Sequence, residues 1–173
     1  AELACGTGTA ALSVAQSPYA SVGIAPVSHH WNMPMCLSAD GARTCKLVTP
    51  TTTQVALGGK CPAQIFPNAD GAGYYRFGGS EVAWSKWIGA APSLGAADQF
   101  TLFHNVDAAM RGGYGTAADY FATIKTLAPT AKWDLLESDH HSTFNIADSL
   151  HDLRVTGVIA PADAAKLQAF VRA

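Results

Sequence analysis

Charged side chains are scarce in this chain: 11 Lys and Arg and 13 Asp and Glu in 173 residues, with a formal net charge of −2. The cations stand singly, so no basic stripe exists to neutralise successive phosphates, and nucleic acid is excluded as a partner. Long apolar runs are also missing. None approaches the roughly 20 residues that a membrane span requires. The first residues lack the basic, then apolar, then small-residue order of a signal peptide, which is expected to have been removed or to lie upstream. No Gly-x-Ser-x-Gly elbow presents a nucleophilic serine. Gly6-Thr7-Gly8 leads into strand-like residues instead of a helix, so it is not a phosphate loop. What remains is apolar material: 49% of the residues are hydrophobic, enough for a core, which marks a globular chain.

Cysteine is absent from everything after Cys61, and the four that exist, Cys5, Cys36, Cys45 and Cys61, fall in the first third. No pair has the two-to-four-residue spacing of a zinc knuckle, so disulfides are the better reading. Asp40-Gly41 favours a two-residue turn with both residues at positive φ. Counting outward from it, Ala39 faces Ala42, Ser38 faces Arg43, Leu37 faces Thr44 and Cys36 faces Cys45. That last pair is non-hydrogen-bonded, with Cα atoms about 4.5 Å apart, inside the range of a disulfide. A Cys36–Cys45 bridge leaves Cys5 and Cys61 to pair by elimination. Two bridges imply an oxidising compartment, periplasmic or secreted. The competing reading is four reduced, buried cysteines in a cytosolic protein.

The pattern of residues divides the chain in two. Up to about Phe77, short alternating or apolar runs such as Leu12–Gln16, Val55–Leu57 and Ala63–Phe66 are punctuated by Thr, Pro and Gly, as in small antiparallel sheets. Pro34 places its run at a sheet edge or bulge, because proline has no N–H to give a ladder. After Gly78-Gly79, Ser80 caps a helix carrying Trp84, Trp87 and Ile88 on one face. A second helix spans about 95–111, with Phe100, Phe103 and Val106 in step, and Gly112-Gly113 stops it. Thr116 caps a third with Tyr120, Ile124 and Leu127. Residues 132–155 read as further helix with Trp133, Leu136, Ile146, Leu150 and Leu153 inward, broken near Ser142. Pro161 and Asp163 start a last one bearing Leu167, Phe170 and Val171. The expected class is α+β in separate parts: a small antiparallel β-sandwich over 1–79 with two disulfides, then an antiparallel α-helical array over 80–173. The apolar residues of the last helix lead us to expect that only the N-terminal part of a helical domain is present.

One segment carries a family resemblance. Pro67-Asn68-Ala69-Asp70-Gly71-Ala72-Gly73-Tyr74-Tyr75-Arg76-Phe77 resembles the motif that closes the β-sandwich of aminopeptidase N-type zinc metallopeptidases, where an Asn and a glycine-containing turn precede Gly-Tyr-Tyr-Arg on the last strand. Trp31-x-x-Pro34-Met35 is similar to that family's Trp-x-x-Pro-Val strand. The helix after Leu94 resembles the start of its helical domain, with Asp98 and Leu102 in place, although Phe103-His104-Asn105-Val106 departs from the usual Leu-Asp-Asp-Ala. The resemblance implies that Asn68, Gly73, Tyr74, Tyr75, Arg76, Trp31 and Pro34 are structural motif residues. It further implies a parent enzyme that removes N-terminal residues from peptides with one zinc. The family's His-Glu-x-x-His helix, its Gly-x-Met-Glu-Asn motif and its catalytic Tyr have no counterpart here, so no catalytic or metal residue and no cofactor is carried over. The implied partners are the catalytic domain and the remaining helical domain of the same polypeptide. Read from chemistry alone, Asn68 to Gly73 is a hairpin loop, and Tyr74 and Tyr75 point to opposite faces, as suits a junction between packed bodies.

Other residues invite chemistry. His29-His30 and His140-His141 are metal-ligating types, the second with Asp139, Asp148 and His151 nearby, yet neighbouring side chains diverge on strand and helix alike, so solvated surface is the plainer reading. Trp84 and Trp87 could form a sugar platform, but their helical spacing favours packing. The alternative functional class is an extracellular β-sandwich binding module for carbohydrate or protein, which a contiguous patch of exposed aromatics would favour.

Overall fold

Two three-stranded antiparallel sheets occupy the N-terminal part of the chain and helices the rest, in a computed structural model that describes residues 1–6, 8–51, 54–136 and 145–172, with Trp133 and Asp134 described as backbone only. The strands are β1 (Glu2–Cys5), β2 (Ala10–Ser13), β3 (Met33–Ala39), β4 (Ala42–Val48), β5 (Gln54–Ala56) and β6 (Ile65–Phe66). They assemble in the orders β1-β2-β5 and β4-β3-β6. Alternation decides what each sheet buries. Leu12 and Val55 from the first sheet and Met35, Leu37, Val48 and Ile65 from the second form one buried cluster. Each such side chain contributes about 1.5–3 kcal/mol by leaving water. Strand β1 has no signature in the sequence because Glu2-Leu3-Ala4-Cys5 holds a single large apolar residue, too little for a period to show.

The β3–β4 hairpin has the expected register, from Ala39 opposite Ala42 to Cys36 opposite Cys45, and Asp40 (φ 46°) and Gly41 (φ 81°) take the left-handed turn conformations. Cys36 and Cys45 are disulfide-bonded with Cα atoms 4.0 Å apart, and Cys5–Cys61 is the second bridge. Asp40 does more than turn the chain. Its carboxylate accepts from the amides of Ala63 (3.2 Å) and Gln64 (2.9 Å), anchoring the approach to β6. Pro34 lies on the middle strand of its sheet, not on an edge strand. It is tolerated because β6 pairs only with Ser38 and Ala39, so Pro34 has β4 alone beside it.

The helices are α1 (Glu81–Ala90), α2 (Ala96–Gly112), α3 (Ala117–Leu127), α4 (Trp133–Leu136), α5 (Ile146–Val155) and α6 (Ala164–Arg172). Their ends follow the expected chemistry. Ser80 accepts from the Ala83 amide, Thr116 and Asp119 form a reciprocal capping box, and Gly113 closes α2 at φ 74°. Helix α2 is buried on nearly all sides from Thr101 to Ala109, with Phe100 half-buried, so it is the central rod of the helical layer.

The chain divides into two compact units, Ala1–Thr130 and Ala131–Ala173. The boundary expected at 79/80 is therefore a change of secondary structure inside the first unit. Its physical reason is aromatic: Phe77 packs on Phe66, Trp84 and Trp87 at 5.1–6.0 Å between ring centroids, and the Trp87 indole N–H donates to the Ile65 carbonyl at 2.8 Å. In the second unit Leu135, Ile146, Leu153 and Leu167 are buried, and the Asn145 side chain caps α5 by accepting from the Asp148 amide. Leu136 and Leu150, expected inward, are half-buried. The last helix begins with a 3-10 turn over Pro161–Asp163. The expected break near Ser142 and the inward side chain of Trp133 lie outside the described residues.

Closure of a long loop restrains the unfolded chain more than closure of a short one. Replacing Cys5 and Cys61 by serine, a separation of 56 residues, is expected to cost about 4 kcal/mol, against about 2.5 kcal/mol for the nine-residue Cys36–Cys45 pair. Urea unfolding of the two double variants checks the order.

Candidate functional site

The sequence predicts a hairpin loop and a final strand over Asn68–Phe77. The segment instead forms a 3-10 turn at Ala69–Gly71 followed by irregular backbone that pairs with no strand among the described residues. Its polar groups must then be paired by side chains. Asn68, buried at 3% exposure, does this across the turn: its Nδ2 donates to the Gly73 carbonyl (3.0 Å) and its Oδ1 accepts the Gly73 amide (2.9 Å), as a neighbouring strand would. The turn inside this clamp needs left-handed backbone at Asp70 (φ 58°) and Gly71 (φ 62°), and a Cβ at Gly71 would sit 2.7 Å from Thr101 Oγ1.

From the clamp the segment reaches the sheet on one side and α2 on the other. Toward the sheet, the Tyr75 hydroxyl donates to the carbonyl of Pro67 (2.7 Å) and approaches that of Cys36 (3.3 Å). Burial pushes this phenol well above the ordinary tyrosine value. Toward α2, the Asp70 amide donates to Asp98 Oδ1 (2.6 Å), Arg76 Nη1 donates to the His104 carbonyl (3.1 Å), and the Phe77 amide donates to Asn105 Oδ1 (2.6 Å). Asn105, buried, returns its own N–H to the Thr101 carbonyl at 2.7 Å. Burial pushes the Asp98 carboxyl up, opposed by the hydrogen bond from Asp70 and reinforced by the Asp70 charge. Arg43 pairs with Asp70 at 3.1 Å on the exposed outside, where an ion pair adds little.

Tyr74 and Tyr75 do face opposite ways: Tyr75 packs on the sheet cluster and Tyr74 is fully exposed. Arg76 places its guanidinium 4.9 Å from the Tyr19 ring, and Tyr19 meets Tyr114 edge-on at 6.4 Å. Trp31 is half-exposed and edge-on to His29 at 4.8 Å. The motif residues are thus spread along one strip of the first unit: Asn68, Gly73, Tyr75 and Arg76 bind the seam together, Trp31 and Tyr74 look outward, and Pro34 sits within β3. Asp98 meets the segment directly. Leu102 is wholly buried in α2. Asn105 is the residue that sequence reasoning misses. It stands where the family pattern is broken, and its position one helical turn after Thr101 is the signal that could have found it.

The other candidates stay apart. Trp84 and Trp87 are buried against each other and Phe77, so they pack and offer no platform. His29 and His30 are exposed, His151 is 3.4 Å from Arg154, and Asp148 serves the α5 cap, while Asp139, His140 and His141 lie outside the described residues. Among the described residues, no three His, Cys, Asp or Glu side chains gather as a metal site would need.

No protein-family model matches the chain, and no curated protein matches it in sequence.

Two outcomes follow. Asn105→Ala strands the Phe77 amide in a buried setting and is expected to cost about 1–3 kcal/mol, whereas Tyr74→Ala, at a fully exposed position, stays within about 0.5 kcal/mol. Chemical denaturation of both variants tests the contrast. For Tyr75 the folded value is raised, so above the ordinary value of 10.0 the unfolded chain releases its proton while the native state retains it. Stability therefore falls as pH rises from about 10, having been full below it. Tyr75→Phe should flatten that decline in unfolding curves taken between about pH 8 and 11.5, on either side of the ordinary value; an unchanged slope would contradict it.

Proposed function

We propose that this chain is a non-catalytic structural segment of an aminopeptidase N-type zinc metallopeptidase, holding a helical layer against a sheet layer beside the catalytic domain. The observation that carries the reading is the Asn68–Phe77 seam: within the segment that resembles the family motif, Tyr75 reaches the sheet side and Arg76 and Phe77 reach α2, while Tyr74 is left facing outward. Its role is geometric. On this reading the zinc, which would polarise the peptide carbonyl and activate water, and the bond-breaking groups would be supplied by the parent's catalytic domain. The two disulfides suit a periplasmic or secreted parent, and among the described residues no helix is long and apolar enough to cross a membrane.

A specific observation favours a second reading. Tyr19, Trp31 and Tyr74 are exposed and line one depression, the kind of aromatic patch that a carbohydrate- or protein-binding module presents.

The chain assayed with zinc on aminoacyl chromogenic substrates is expected to give background rates. The reading frame ahead of it is expected to encode His-Glu-x-x-His. Turnover above background, or a frame without that motif, would overturn the aminopeptidase reading.

A further inference from the structure

Four charged groups line the open depression beside residues 14–32: the Ala1 ammonium, Glu2, Asp70 and Arg76. Three are compensated within the protein. Asp70 pairs with Arg43 at 3.1 Å, and the Ala1 ammonium, which donates to the Gly78 carbonyl, has the Glu2 carboxylate beside it. Arg76, exposed, has no carboxylate within ion-pair reach among the described residues. It is nevertheless held in place: Nη1 donates to the His104 carbonyl at 3.1 Å, and the guanidinium lies 4.9 Å from the Tyr19 ring. A guanidinium carries five N–H donors, so most of them remain for a ligand.

Two phenols stand with it. The Tyr114 ring is wedged between glycines: a Cβ at Gly112 would lie 2.6 Å from its Cε1, and one at Gly78 would lie 3.2 Å from its Cδ2. Tyr19 meets that ring edge-on at 6.4 Å, and neither hydroxyl forms a hydrogen bond among the described residues. Burial pushes the Tyr114 phenol up, reinforced by Tyr19 and opposed by the Arg76 charge, so at neutral pH it keeps its proton and can donate. A cation and two neutral O–H donors together complement one carboxylate.

The walls decide what carries that carboxylate. Residues 14–32 form neither helix nor strand and contain no Asp, Glu, Lys or Arg. Their shape is fixed by the Gln16 side chain, which pairs both backbone groups of Trp31 (2.8 and 2.9 Å), and by the Val22 amide, which donates to the Arg111 carbonyl (2.9 Å). Val22, Ile24 and Val27 are thereby presented at 72%, 65% and 82% exposure. From 25 to 30 the exposed backbone forms no hydrogen bond among the described residues, so its amides and carbonyls are open to those of an extended peptide. Nucleic acid, acidic polysaccharide or anionic membrane would need a row of cations, and would meet Glu2 and Asp70 instead. A fatty acid would bring no peptide groups to the open backbone. The depression, about 2430 Å³, also exceeds the roughly 300–1,000 Å³ of small-molecule pockets.

We propose that Arg76, Tyr114 and Tyr19 bind the C-terminal carboxylate of a peptide whose last residues are apolar and lie along Val22, Ile24 and Val27. This rests on the second reading above, a binding module, and names the ligand of its aromatic patch.

The test titrates an uncharged, N-acetylated synthetic hexapeptide ending in Val-Leu into the 173-residue chain by calorimetry, once as the free acid and once as the C-terminal amide. The acid is expected to bind about tenfold or more tightly than the amide. Arg76→Gln and Tyr114→Phe should each bring the acid down toward the amide's affinity and leave the amide unchanged. Tyr114→Phe keeps the ring between Gly78 and Gly112, so a loss in that variant reports the hydroxyl and not the fold. Equal binding of acid and amide would overturn the carboxylate site and leave the binding-module reading standing. Binding of cellohexaose, a neutral oligosaccharide, with no binding of either peptide would do the same. If neither peptide nor oligosaccharide binds, the reading and the site fall together. Laurate that binds as tightly as the acid peptide and displaces it would assign the cation to a lipid carboxylate and overturn the proposal.

Discussion

Every buried backbone amide and carbonyl needs a partner, and in the first unit the strands are too short to supply all of them. Side chains take over. Asn105 takes the buried Phe77 amide and Asn68 pairs both polar groups of the half-buried Gly73, while at exposed positions Gln16 pairs both groups of Trp31 and the Asp40 carboxylate receives Ala63 and Gln64. In each case a short polar side chain occupies the place of a missing strand. Leaving a buried group such as the Phe77 amide unpaired costs about 1–3 kcal/mol, which is large beside the few kcal/mol that hold a small domain together. These substitutions of side chain for strand therefore decide where the irregular segments run.

The seam follows from that constraint. With Asn68 closing its turn and Asn105 holding its end, the segment places Phe77 among Phe66, Trp84 and Trp87, and this aromatic cluster joins sheet and helices into one body. The disulfides act elsewhere, fixing the β3–β4 hairpin and tying the end of β1 to the residues ahead of β6. A body stapled in this way keeps its outer face in a defined shape.

Local chemistry is legible in the sequence. Asp40-Gly41 sets the hairpin register and with it the Cys36–Cys45 bridge, while Ser80, Thr116 and Gly113 mark helix ends through capping groups that act within four residues. The α+β order and the packing of Trp84 and Trp87 are readable for the same reason. What the sequence conceals is long-range. Nothing in Tyr74-Tyr75-Arg76-Phe77 announces that α2, and not a strand, completes its hydrogen bonds, because Asn105 lies 28 residues away. The unity of residues 1–130 depends likewise on Phe77 meeting α1, a contact that periodicity does not encode.

Native-state hydrogen exchange tests most directly whether the seam unites the two layers. If Asn68–Phe77 joins them, amides in β3 and α2 will open together, with one shared free energy that falls equally in both when Asn105 is replaced by alanine. Separate opening energies, with β3 unaffected by that substitution, would contradict the account.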